Sequence, residues 1–221
     1  MKKSAQSIVP MRNILGLALL SFAVTACGIP DSKRPDSGRI DIDPSPSAKQ
    51  CYGELRKAGV RFSPLPNKNF AGGCSQIDAI TMIDVGRYTD ISNLGPIRCQ
   101  LANKFAAWTE FAVRRAARQY LGSELVRIET MGSYSCRRVA GSNRLSEHGR
   151  ANAIDISGFV LADGRRITLT KDWNGNRRER QFLRAIHKSA CRRFGTVLSP
   201  DFNAAHRDHF HFDMGGNGYC R

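Results

Sequence analysis

The chain lacks a long hydrophobic run. Its most apolar stretch, Ile14 to Ala26, is too short to span a bilayer as a permanent helix, which takes about 20 apolar residues. None of its seven cysteines is spaced Cys-x-x-Cys, so nothing supports a paired-thiolate zinc site. There is no internal repeat, which excludes a solenoid or propeller. Acid is scarce: 19 Asp and Glu stand against 34 Lys and Arg, a formal net charge of +15. Histidine is scarce too, with five residues, yet four of them (His148, His206, His209 and His211) fall in two short segments.

Met1 to Asn13 carries Lys2, Lys3 and Arg12 and no acid. A basic start before a short apolar core reads as a secretory signal, here residues 1–26. It ends in Val24-Thr25-Ala26-Cys27, which resembles a bacterial lipobox and implies cleavage before Cys27 with lipid attached to it. The plainer alternative is ordinary cleavage nearby, with Cys27 incidental. Met11 would give a tidier start to the signal. Gly28 in place of Asp after the cysteine favours, by analogy with Gram-negative lipoproteins, periplasmic exposure from the outer membrane.

Residues 27–48 read as a flexible tether, with Pro30, Pro35, Pro44, Pro46, several serines and charges of both signs. Without apolar periodicity such a segment cannot bury enough surface to order itself. It would reach roughly 75 Å when stretched and about 25 Å when relaxed.

Residues 49–221 are one domain's worth of chain. The signal carries three positive charges and the tether is net −1, so the domain keeps about +13. That points to an anionic partner, cell-wall polymer or lipid headgroups in an exported protein. No nucleic-acid motif accompanies the charge, so nucleic acid is not expected. The domain's six cysteines (Cys51, Cys74, Cys99, Cys136, Cys191, Cys220) imply up to three disulfides in an oxidising compartment. The pairing Cys51–Cys74, Cys99–Cys136 and Cys191–Cys220 is the working expectation.

Periodicity predicts a helix over 98–121, with Leu101, Phe105, Trp108, Ala112, Ala116 and Tyr120 as its core stripe and Gly122 as its stop. A second helix is predicted over 178–194, ended by Gly195. A short helix is expected over 51–57. Strands are expected near 60–62, 77–85, 124–131, 153–160, 166–169, 197–198 and 209–213, with Asp163-Gly164 as a hairpin turn. The stretches 63–73 and 86–96 read as loop and turn. The class is α+β, helices packed on a small antiparallel sheet and braced by disulfides.

The two histidine segments are Ser146-Glu-His-Gly-Arg-Ala-Asn-Ala-Ile-Asp155 and His206-Arg-Asp-His-Phe-His-Phe-Asp213. They offer His148, Asp155, His206, Asp208, His209 and His211, nitrogen and oxygen donors suited to a zinc ion with an open position. His148 and Asp155 fit a loop residue followed by a strand residue, with 149–152 turning between them. His209 and His211 share one face of a strand, leaving Phe210 and Phe212 to the core. Asp213 reads as a carboxylate that orients a histidine, and Glu147 as a neighbour of the first ligand or a solvated residue. His187 reads as an ordinary helix residue.

These segments resemble the zinc peptidases grouped as the lysostaphin, D-alanyl-D-alanine carboxypeptidase and hedgehog folds. More closely, residues 51–221 resemble the bacterial extensin-like C-terminal domain family. The resemblance is carried by Ser133-Tyr-Ser-Cys-Arg137, Ser146-Glu-His148, Asn152-Ala-Ile-Asp155, Phe194-Gly-Thr-Val-Leu198 and His206-Arg-Asp-His-Phe-His211. It implies that His148, Asp155 and His211 hold Zn2+, that Asp208 or His209 is the catalytic base, and that Arg137 stabilises an oxyanion or holds a substrate carboxylate. His206 could orient the base or bind substrate. One residue departs from the wider motif: Ala151 stands where the peptidases carry glycine, which puts the turn in question. The implied function is a lipid-anchored periplasmic zinc metallopeptidase, a carboxypeptidase or endopeptidase cutting an amide bond in peptidoglycan stem peptides. The alternatives are a zinc-stabilised module that holds cell wall without cutting it, and a structural lipoprotein whose histidines form a metal-free network.

Overall fold

A computed structural model describes residues 43–221. The expected signal, Cys27 and the tether as far as Ile42 lie outside the described residues. Among the described residues no helix is long and apolar enough to cross a membrane. The domain is α+β and disulfide-braced, the class the sequence predicts. Its strands are β1 (Arg61–Pro64), β2 (Lys68–Asn69), β3 (Ser75–Gln76), β4 (Ala79–Val85), β5 (Thr89–Ser92), β6 (Ile97–Arg98), β7 (Leu125–Gly132), β8 (Ala153–Leu161), β9 (Arg166–Thr168), β10 (Thr196–Leu198), β11 (Phe210–Asp213) and β12 (Tyr219–Cys220). Ten of them form one sheet in the order β1-β4-β5-β7-β8-β11-β10-β12, with β6 also on β4 and β9 also on β8. Most pairings are antiparallel, but β5–β7 and β10–β12 are parallel, so the sheet is mixed and larger than the sequence suggested. Strands β2 and β3 pair apart from it, β2 inside the segment read as loop and β3 just past its end. Strand β5 lies in the stretch read as turn. Its four residues are bounded by turn signals; it pairs with β4 just before it and with β7 from more than thirty residues away.

Helix α1 (Pro46–Lys57) begins inside the segment assigned to the tether. Ser45 caps it by accepting from Ala48 N at 3.1 Å, and Pro46 sits where a missing N–H costs nothing. It buries Ala48, Cys51, Tyr52 and Leu55. Helix α2 (Cys99–Trp108) runs on through a π-helical Thr109–Val113, a helical turn α3 (Arg114–Ala116) and a π-helical Ala117–Leu121. A π turn holds one more residue than an α turn. After Trp108 the stripe accordingly gains Val113, Ala117 and Leu121, each one position past an expected residue; Ala116 stays buried as expected, while Ala112 and Tyr120 are only partly buried against the core. Gly122, left-handed at φ 65°, ends the helix as expected. After the turn α4 (Leu169–Asp172), α5 (Arg177–Ala190) is capped by Asn176 and buries Phe182, Leu183, Ile186 and Ala190. It stops at Ala190, so Gly195 is not its terminator. Gly195 lies against Gly216, whose carbonyl would be 2.7 Å from an added Cβ, and its N–H donates to the Asp213 carbonyl.

The disulfides join Cys51 to Cys99, Cys74 to Cys136 and Cys191 to Cys220. Only the last pairing matches expectation. The first links α1 to the start of α2, and the second ties the β2–β3 region to the loop after β7. Both partners are set by tertiary approach, which cysteine spacing does not encode.

Strands β8 and β11 are neighbours near the middle of the sheet. On one side, Phe210 and Phe212 are fully buried. The Trp108 ring meets Phe212 edge-on at 5.1 Å, Phe194 stacks on Phe212 at 4.8 Å, and Trp108 Nε1 donates to the Ile186 carbonyl. Burial of each such ring stabilises by roughly 1.5–3 kcal/mol. Because side chains alternate across a strand, sealing the phenylalanines inside commits His211 to the other face.

Candidate functional site

Asp155 on β8 and His211 on β11 are register partners, so their side chains rise next to each other from the same face. His211 Nδ1 lies 2.9 Å from Asp155 Oδ1, and His211 Nε2 lies 2.9 Å from Asp213 Oδ2. Carboxylates only accept, so both ring nitrogens carry protons. Burial alone would lower the His211 pKa, but the bonds to Asp155 and Asp213 outweigh it and push it up to about 9. Burial would raise Asp155, yet hydrogen bonds from His148 and His211 hold it well below the usual carboxylate range. Asp213 is also lowered, its burial outweighed by the bond to His211.

His148 comes from a one-turn 3-10 helix, Glu147–Arg150, capped by the Ser146 hydroxyl, which accepts from His148 N at 3.3 Å. Ala151 ends the turn at φ 52°, ψ 28° and is fully buried. The departure from glycine therefore leaves the turn intact: alanine is held in the left-handed region that glycine would take freely. Glu147 clamps the loop, accepting from Asn152 Nδ2 and Arg150. It packs so closely on Gly215 that an added Cβ there would lie 2.7 Å from its carboxyl carbon.

The His148 ring is 3% exposed as part of its residue. Its Nδ1 donates to the Ser133 carbonyl at 3.1 Å, because a carbonyl can only accept. That leaves Nε2 facing Asp155 Oδ2 and His211 Nδ1, both at 3.2 Å. One ligand atom each from His148, Asp155 and His211 thus falls within 4.8 Å of the other two, a group able to hold a metal ion. The outward nitrogens are already tied to a carbonyl and a carboxylate, as fixed metal-binding imidazoles require. An ion among these atoms would replace the proton on His211 Nδ1 and take the charge that now balances Asp155.

His209 stands immediately before β11 on the same side. Its Nε2 is 3.7 Å from Asp155 Oδ1, and its Nδ1 is 2.9 Å from Asp208 Oδ1. The bond to His209 keeps the Asp208 carboxyl below its ordinary value. His206 is set back from the ligand atoms, with ring centroids 5.1 Å from His209 and 6.0 Å from His211. Its Nδ1 bonds Asn203 Oδ1 at 2.8 Å. Burial and the neighbouring His209 and His211 lower its pKa to about 4, so it is neutral at physiological pH. Arg137 reaches the cluster from a third segment and lines the same cleft.

That cleft holds about 800 Å³. Arg137, Arg144 and Leu145 line one part of it, Leu198, Phe202 and Tyr219 another, with Asp155, His209 and His211 also in its lining. Neither Arg137 nor Arg144 has an acidic partner within 4 Å among the described residues. The sequence reading did not single out Arg144, Phe202, Tyr219 or the Ser133 carbonyl. No motif marks Arg144, Phe202 or Tyr219, and the stretch that opens at Ser133 gives no sign that its carbonyl meets a histidine; only the fold puts them there. A second cluster, His187 with Cys191 and Cys220, also has metal-ligand proximity, but its two sulfurs are joined to each other. His187 is instead stacked on Phe210, with burial lowering its pKa.

No curated protein and no solved structure matches the chain. Residues 49–221 match the family described as extensin-like protein C-terminus, and on a match of that extent the chain belongs to this family.

Proposed function

We propose that the domain is a zinc-dependent hydrolase of an amide bond in peptidoglycan stem peptides, related in fold to the lysostaphin, D-alanyl-D-alanine carboxypeptidase and hedgehog group. The exported, Cys27-anchored setting read from the N-terminal sequence belongs to the same proposal. One observation carries it: three ligand atoms from two strands and a turn converge, with the outer ring nitrogens of His148 and His211 fixed by Ser133 and Asp213. His148 through Nε2, Asp155 through its carboxylate and His211 through Nδ1 would hold Zn2+. When bound, the ion supplies Lewis acidity, polarising a carbonyl and making water acidic near pH 7.

The chain's own groups supply the rest. Asp208 and His209 were rival candidates for the base, and the geometry supports dividing the work. Asp208 is bonded to His209 Nδ1, which fixes the ring, while His209 Nε2 points toward Asp155. In this reading His209 Nε2 takes the proton of the attacking water and returns one to the leaving amine, and Asp208 holds the ring in the required tautomer. Arg137, unpaired and cationic on the cleft wall, supplies charge for the developing oxyanion. His206, neutral and tied to Asn203, packs behind His209 and limits its rotation.

Purified muropeptides incubated with the protein should lose one peptide bond, the loss should be EDTA-sensitive, and His211→Ala should abolish it. Intact muropeptides across several wall chemistries, from protein carrying stoichiometric zinc, would overturn hydrolysis. If such protein still pelleted with sacculi, it would be a wall-holding module. Protein that takes up no zinc would leave the metal-free network.

A further inference from the structure

The rings of the site do not stop at the histidines. His209 packs on His206, whose ring meets Phe202 at 5.3 Å, and Phe202 meets Tyr219 edge-on at 6.1 Å. The Arg221 guanidinium lies over Tyr219 at 5.4 Å. This row leads from the ligand cluster outward along the cleft. Its outer members are exposed, Phe202 at 36% and Tyr219 at 46%. Of the large apolar side chains left exposed among the described residues, these two are the ones that line the cleft. An exposed ring at a cleft wall leaves apolar area that a ligand can cover.

The row is held rigidly. Tyr219 lies in β12, paired with β10 at Thr196, and the next residue is the disulfide-linked Cys220. Phe202 N donates to the Ser199 carbonyl, and Arg221 is bonded to Val197 and Ser199 through its backbone. Rings held this way form an angled shelf with little ordering cost on binding. The shelf has a polar edge, with Asn203 and Arg221 beside the rings. The same cleft carries the unpaired Arg137 and Arg144. Phe202 and Tyr219 stand at 85° to each other, so a ligand lying flat on one ring meets the other with its edge. The polar groups beside this corner suit a ligand whose face is C–H and whose rim is hydroxyl and amide. That is the face of a pyranose. The free arginines add a requirement for negative charge.

We propose that Phe202 and Tyr219 are a stacking subsite for an amino-sugar ring, with Arg144 receiving a carboxylate on a neighbouring, peptide-free sugar of the same glycan strand. The inference deepens the reading of the metal cluster as a reaction centre for cell-wall substrate and rests on it. The scissile peptide lies at the histidines, and the glycan from which it hangs lies on the shelf.

The test is calorimetric titration of the full chain, with and without zinc. Its ligands are a peptide-free tetrasaccharide of N-acetylated amino sugars bearing ether-linked lactyl carboxylates, a neutral amino-sugar tetrasaccharide of equal length, the free stem peptide, and a short single-stranded oligonucleotide. The carboxylated saccharide should bind most tightly, with or without zinc. Phe202→Ala and Tyr219→Ala should each weaken it by about tenfold or more, the scale of removing one stacked ring. Tyr219→Phe should restore most of that loss. Arg144→Ala should bring the carboxylated saccharide down to the affinity of the neutral one. All four variants should keep wild-type zinc content and melting temperature. Unchanged saccharide affinity in both alanine variants would overturn the subsite. So would stem peptide or oligonucleotide binding that is tighter and equally sensitive to them. Absence of zinc uptake with saccharide binding intact would instead sink the metal reading and leave the shelf standing.

Discussion

At the scale of single residues, two carboxylates beside two histidines do different work. Asp213 holds the ring of His211, a proposed ligand, and Asp208 holds the ring of the proposed base. Asp213→Asn should lower zinc affinity about 10–100-fold, the usual range for losing such a partner. Asp208→Asn should leave zinc content unchanged and lower turnover. Competition with a fluorescent chelator, beside single-turnover rates, separates the two. Ala151 gives a second prediction. Its left-handed backbone costs roughly 1–2 kcal/mol, while its buried methyl returns about 0.8 kcal/mol. Ala151→Gly should therefore unfold within about 1 kcal/mol of wild type in urea. Ala151→Val, branched and at positive φ in a sealed position, should lose more than about 2 kcal/mol. The convergence of His148, Asp155 and His211 was legible because they sit in two segments whose spacing matches a turn-then-strand and a strand. The proposed division between Asp208 and His209 was not legible, since adjacent residues give no sign of which one faces Asp155. Phe202 and Tyr219 were silent for a similar reason: an aromatic in sequence carries no mark of exposure.

At the scale of elements, strong local signals were read correctly and distant ones were not. The stripe of α2 was plain as far as Trp108, where the π turn shifts it by one residue in a way that ideal 3.6-residue periodicity misses. Strand β5 is very short and its second partner, β7, is distant in sequence, and the pairing of Cys51 with Cys99 depends on how α1 docks against α2. Non-reducing peptide mapping should recover Cys51–Cys99 and Cys74–Cys136. Replacing Cys51 and Cys99 together by serine should cost about 4 kcal/mol, as expected for opening a loop of that length. The segment after β10 is pinned to α4 and α5 through Asp201, which accepts from Trp173 Nε1 at 2.7 Å and pairs with Arg184. The Arg184 guanidinium also lies 3.5 Å over the Trp173 ring. Burial would raise the Asp201 pKa, but the bonds from Arg184 and Trp173 hold it below the ordinary carboxylate value. A depressed folded pKa adds stability above the unfolded pKa, near 4, and loses it as pH falls through the folded value. Asp201→Asn should thus lower stability at neutral pH, by less than about 1 kcal/mol for so exposed a pair, and flatten the decline toward acid.

For the molecule as a whole, the unbalanced charge predicts behaviour that no single residue does. A domain near +13 should bind anionic wall polymer with a strong salt dependence, since exposed charges are screened beyond about 10 Å at 0.1 M salt. Pelleting with sacculi should fall steeply between low salt and about 0.3 M. An uncharged soluble glycan should bind with little salt dependence, so the two together divide electrostatic capture from contact at the shelf. The register between β8 and β11 has a last consequence. Asp155 and His211 are 56 residues apart and meet only because the two strands align as they do. A slip of one residue would turn His211 into the core and leave Asp155 facing nothing. The three donors therefore exist together only once both strands and the His148 turn have formed. If the proposed site takes zinc, uptake of the ion is in effect a certificate of finished folding, so under the proposed export a chain translocated unfolded would acquire the ion at its destination and not where it was made.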